Sequence, residues 1–141
     1  MPPTWTDAER RLLDELSRSL LDAGWGRGRA TPLTVEHLLK SWRQLGDDVS
    51  TYELIIDDFT NDLTSRDGLE KVMADCSSTT FRNKLRGIID LADTRYREAT
   101  REDGGTALSR HFQVDEKSGW WWRRCPRSGP LAQFLGLLPP R

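Results

Sequence analysis

Seven apolar residues, Phe81, Leu85, Ile88, Ile89, Ala92, Tyr96 and Ala99, recur three or four positions apart, and no other feature constrains the fold as tightly. That spacing puts them on one face of a helix over about 79–99. Ser77 or Ser78 stands ready to cap its start, since a serine oxygen accepts from an unpaired first-turn amide. Arg86 with Asp90, and Asp93 with Arg97, are opposite charges four apart and are expected on the outer side. A helix of about 20 residues spans about 30 Å, so shorter helices are expected to pack along it.

Composition narrows the class. With 141 residues, 36% apolar and 30% charged, the chain suits one globular domain with a real core. No stretch approaches the roughly 18 apolar residues of a membrane span. The opening residues lack the basic-then-apolar order of a signal peptide. Cys76 and Cys125 make neither a disulfide framework nor a zinc site, so free thiols in a reducing cytoplasm are expected. Arginine far exceeds lysine, as in proteins of GC-rich bacterial genomes, and single arginines are discounted as functional signals on that account.

Along the chain, Thr6 to Glu9 is a capping box opening a helix with Leu12, Leu13, Leu16, Leu20 and Leu21, which Gly24 ends. The loop from Gly24 to Arg29 has three glycines. It reads as a connector or as a backbone nest for phosphate, and it meets neither nucleotide-binding fingerprint. Thr31-Pro32 or Thr34 opens a second helix with Val35, Leu38, Leu39, Trp42 and Leu45, stopped by Gly46. His37 beside that stripe reads as a surface or packed histidine. Ser50 to Glu53 is a second capping box, opening a third helix with Tyr52, Ile55, Ile56, Phe59 and Leu63. Asp67 to Glu70 signals a fourth, carrying Leu69, Val72, Met73 and Cys76. Beyond Ala99 a helical turn is expected near Leu108. A hairpin is expected over about 111–124, because the run Trp120 to Trp122 suits a pleated surface. Pro126 ends it, and Pro130 opens a last helix with Leu131, Phe134, Leu135 and Leu138.

Two charged stretches stand out. On the third helix Asp57, Asp58 and Asp62 crowd together, Asp58 and Asp62 sharing a face. Paired carboxylates hold magnesium in some proteins. The stretch Asp57 to Asp62 superficially resembles the aspartate-rich motif of terpene synthases, but Leu69 stands where the second motif needs an acid. No metal and no cofactor is expected. The acids read as a solvated face or as a surface for a partner. At the other end Arg123, Arg124 and Arg127 adjoin three tryptophans, with no acid from Lys117 to Arg141. Such interleaving serves single-strand nucleic-acid binders, yet it also seals bundles. Strand alternation would bury Trp120 and Trp122 and leave Trp121 and Arg123 outermost. The basic segment is also a candidate to dock on the acidic helix of its own chain.

Catalysis finds little support. His37 and His111 lie in no nucleophile motif, although Cys76 with His111, Cys125 with His37, or an RNase-like site at Arg110 and His111 stay open. The expected fold is mostly α: a compact bundle of five or six helices around the long helix at about 79–99, with a small C-terminal β-hairpin and a short terminal helix. Residues 1–141 form one helical domain, and 100–141 a hairpin-plus-helix subdomain. The expected function is a non-catalytic binding or regulatory protein acting through protein–protein contacts, of the adaptor, antitoxin or immunity type. Its expected partner-binding residues are Trp121, Arg123, Arg124, Arg127, Asp57, Asp58 and Asp62. The alternative is nucleic-acid binding through the Trp/Arg segment; a small hydrolase or nuclease comes third. Net charge of -1 weighs against a general nucleic-acid binder.

Overall fold

Three of the long helices begin where the sequence supplies a hydroxyl. In the computed structural model, which describes residues 4–25, 33–49, 56–110, 114 and 118–135, Thr6 caps α1 (Asp7–Asp22) in a full capping box. The Glu9 amide donates to Thr6 Oγ1 at 3.1 Å, and the Thr6 amide donates to Glu9 Oε1 at 2.8 Å. Thr34 caps α2 (Val35–Asp48), accepting from the His37 amide at 3.1 Å. Ser78 caps α4 (Thr79–Ala99), accepting from the Phe81 amide at 3.3 Å. Gly24, at φ 93°, ends α1 as expected: its amide donates to Leu21 O, and that of Trp25 to Leu20 O.

The expected third and fourth helices are one, α3 (Ile56–Asp75). Asp67 and Gly68 look like a break, but Gly68 lies inside the helix because α2 passes close: a Cβ there would meet Leu38 Cδ1 at 2.9 Å. Gly46 likewise does not stop α2, which runs two residues further. Its bare backbone faces α4, where a Cβ would lie 3.1 Å from the Tyr96 amide nitrogen. Both glycines therefore serve close helix approach rather than termination. The capping box from Ser50 to Glu53, and with it Tyr52 and Ile55, lies outside the described residues.

The architecture is four long helices, with α2 packed on both α3 and α4. The α4 stripe is core as read: Phe81, Leu85, Ile89, Ala92 and Tyr96 are buried, Ile88 and Ala99 partly so. Trp42 of α2 is wholly enclosed, its ring 4.8 Å from that of Tyr96. At the other end of α4, Lys84 donates to Glu9 Oε1 at 2.8 Å and lies over Trp5, tying α1 to α4. Among the described residues no helix is long and apolar enough to cross a membrane.

A two-stranded antiparallel sheet is present, but its strands are not the ones expected over 111–124. α4 runs straight into β1 (Thr100–Glu102), which pairs with β2 (Arg124–Pro126), Arg101 opposite Cys125. Trp120–Arg123 is a 3-10 turn rather than a strand. Strand propensity of aromatics reflects how they pack, and here the packing is onto α3. A 3-10 turn spans Leu108–Arg110, and α5 (Pro130–Phe134) follows Gly129. Leu131 and Leu135 join the same core as the long helices.

Candidate functional site

The tryptophan run is where the C-terminal segment meets α3. Gly119 starts the 3-10 turn, and the Trp122 amide donates back to Gly119 O at 3.0 Å. Three residues per turn send three consecutive rings in three directions. Trp121, expected outermost, is instead buried at 5% exposure, while Trp120 and Trp122 are half-buried. The Trp121 indole N–H donates to Asp67 Oδ1 at 2.8 Å, and that of Trp122 reaches both Asp67 oxygens at 3.0 Å. The segment thus docks on α3 of its own chain, through indole donors and one carboxylate. Burial pushes the Asp67 carboxyl above its ordinary value, partly offset by the Trp122 and Trp121 hydrogen bonds.

Beneath the tryptophans lies a buried charge pair. Arg66 of α3 meets Asp93 of α4 as a fork, Nε to Oδ1 at 2.9 Å and Nη2 to Oδ2 at 3.0 Å. Its Nη1 donates to Glu70 at 2.6 Å, and the Trp42 indole donates to Asp93 Oδ1 at 2.8 Å. The Arg66 guanidinium lies 4.3 Å from the Trp121 ring centre. Burial pulls its proton affinity down, but the hydrogen bonds to Asp93 and Glu70 outweigh that and leave it raised. Asp93 is therefore not on the outer side with Arg97. The signal was there to read: Asp93 lies four past Ile89 and three before Tyr96, on the apolar stripe itself.

Freed from Asp93, Arg97 lays its guanidinium 4.0 Å above the Trp120 ring. With Trp120, Glu102, Arg123 and Arg124 it lines a pocket of about 210 Å³. Arg124 is held in place by its own fork: Nε donates to Thr100 Oγ1 at 2.8 Å, and Nη2 to Thr100 O at 3.0 Å and Arg97 O at 3.2 Å. Arg123, next in the chain, has no hydrogen bond or ion pair on its guanidinium among the described residues. The pocket is thus cationic, with two arginines positioned by their surroundings and a third free to reach in. Sequence reading selected Arg123 and Arg124 but missed Arg97 and Glu102, which belong to elements some 20 residues upstream and arrive through the β1–β2 pairing.

The remaining candidates separate. Arg127 is exposed, its amide bonded to Ala99 O, and it does not line the pocket. Asp62 is half-buried on α3, and the side chains of Asp57 and Asp58 lie outside the described residues. The loop residues Gly26 to Arg29 and His111 also lie outside them. Among the described residues no three of His, Cys, Asp and Glu gather as a metal site. Cys76 and Cys125 are free thiols, both buried, and burial pushes the Cys125 thiol up, away from the reactive thiolate. No family model matches the chain, and no curated protein or solved structure shows significant similarity to it.

Proposed function

We propose that this is a non-catalytic binding protein that engages another protein through its arginine pocket, in the manner of an adaptor, antitoxin or immunity protein. The observation that carries this reading is the convergence of Arg97, Arg123 and Arg124 on one pocket beside Trp120. Arginine is the residue of choice for anchoring anionic groups at protein interfaces, because its planar fork offers several donors at fixed angles. Positioning Arg124 and Arg97 in advance lowers the ordering cost of binding.

The arrangement of rings favours a protein over single-stranded nucleic acid. Base stacking needs an open aromatic face. Trp121 is buried, and Trp120 carries Arg97 on one face while Trp42, Tyr96 and Trp121 crowd its surroundings. On this reading the protein works in the cytoplasm, which suits two free thiols, and in a bacterium with a GC-rich genome, which suits its arginine-rich composition.

Affinity capture from nuclease-treated cell extract, with wild type beside Arg123→Glu, tests the reading. A protein retained by wild type and lost with Arg123→Glu supports it. Proteins retained equally by both sink it. Submicromolar binding of labelled single-stranded DNA or RNA that vanishes at physiological salt, as counterion release requires, would move the assignment to nucleic acid.

A further inference from the structure

We infer that the arginine pocket receives a phosphomonoester dianion, carried by a phosphorylated side chain of the protein partner. This rests on the reading above and makes it specific. Among the described residues, three guanidinium groups and one carboxylate line the pocket, two positive charges in excess. A phosphomonoester carries close to two negative charges at neutral pH and presents three acceptor oxygens. An aspartate or glutamate side chain carries one charge and is fully met by a single arginine fork.

The donors are disposed for such a group. Arg124 spends Nε and Nη2 on Thr100 and on the Arg97 carbonyl, which fixes the plane of its guanidinium and leaves Nη1 without a partner among the described residues. Arg97 is steadied by the Trp120 ring beneath it. Neither arginine ion-pairs with Glu102, and nor does Arg123, among the described residues. Among the described residues, three cations therefore face a shared space without an anion neutralising them at contact distance. Glu102 opposes an incoming anion, so its removal should tighten binding. A phosphodiester, with one charge and two free oxygens, matches this pocket less well than a monoester, which separates a phosphorylated protein from a nucleic-acid backbone.

The test is an NMR titration of 15N-labelled protein with N-acetyl-O-phosphoserine amide, inorganic phosphate, dimethyl phosphate and acetate. The two monoanions should bind at least about tenfold more weakly than phosphoserine amide, the loss expected when one charge-assisted hydrogen bond goes unmade. The phosphoserine amide and inorganic phosphate should move the Trp120 indole signal saturably. Arg123→Gln should weaken both by about tenfold on the same ground, with spectral dispersion unchanged because the change breaks no hydrogen bond or ion pair of its guanidinium among the described residues. Glu102→Gln should strengthen both, and Arg127→Gln should leave them unchanged. Equal binding of acetate or dimethyl phosphate, no saturable shift at Trp120, or an indifferent Arg123→Gln would overturn the inference. Capture of a partner that depends on Arg123 yet survives phosphatase treatment would also overturn it, while leaving the protein-binding reading intact. Capture indifferent to Arg123 defeats that reading itself.

Discussion

Arg66 and Asp93 face each other across α3 and α4 with two parallel hydrogen bonds, and they are only 3% and 5% exposed. A pair this deep is held by geometry: attraction offsets the cost of removing both charges from water only while both partners are present. Asp93→Ala should therefore cost about 3–5 kcal/mol by urea denaturation, because it strands the Arg66 charge. It also strands the Trp42 indole N–H, which donates to the same carboxylate. Replacing both residues, Arg66→Met with Asp93→Leu, should cost less than the sum of the single changes. Additive losses would show that the two side chains act separately.

Asp67 gives a pH signature. Its carboxyl is raised above the ordinary 3.8 by burial, against the pull of Trp122 and Trp121. The folded state then holds a proton that the unfolded state has released. The stabilising effect of that proton is fully present below the ordinary value and is lost as pH rises through the raised one. Asp67→Asn keeps an oxygen to accept from the indoles and does not ionise. Its stability relative to wild type should rise across that window, measured as urea midpoints from about pH 3 to 7. A difference that stays flat with pH would show that Asp67 titrates alike in both states.

The features legible in the sequence were the local ones. Thr6, Thr34 and Ser78 cap helices because each oxygen needs only an amide two or three residues on, and the α4 stripe is a property of that segment alone. Long-range partners decided the rest. Trp120 to Trp122 has strand-like residues, but the acceptor that turns it into a 3-10 turn is Asp67, more than 50 positions away. Gly46 looks like a stop, and Asp67 to Glu70 like a new start, because the helices that need the bare backbones of Gly46 and Gly68 are not in the local sequence. Two of the three arginines of the pocket, Arg123 and Arg124, are legible as a basic run. A four-residue spacing suggests that Arg97 pairs with Asp93, but Asp93 lies on the apolar stripe and pairs with Arg66, which leaves Arg97 over Trp120.

Leu85 is completely enclosed on the buried face of α4. Leu85→Ala should cost about 2–5 kcal/mol, from lost burial plus the cavity left behind. Ser78→Ala, at the start of the same helix, should cost about 1 kcal/mol by freeing the Phe81 amide. Thermal and chemical unfolding check both. A smaller loss at Leu85 than at Ser78 would contradict the central place given to α4.

Gly119 offers the sharpest test of how the tryptophan run is seated. Its φ of -61° suits any residue, so alanine there carries no backbone strain. Space is the obstacle: a Cβ would lie 2.3 Å from Trp121 Cζ2. The ring is pinned by Asp67 at its indole N–H and by the Arg66 guanidinium over the ring, so it has little freedom to withdraw. Gly119→Ala should cost about 1–3 kcal/mol, the usual range for overpacking. Trp121→Ala should cost about 3–5 kcal/mol, as for a buried aromatic, and would do little if the ring lay outside. The two changes share one contact, so their effects should not add. With the ring removed, Gly119→Ala should become nearly neutral. Circular dichroism with urea unfolding of the two single variants and the double variant decides it. A Gly119→Ala cost that persists without the ring would place its origin in the backbone and detach Gly119 from the seating of Trp121.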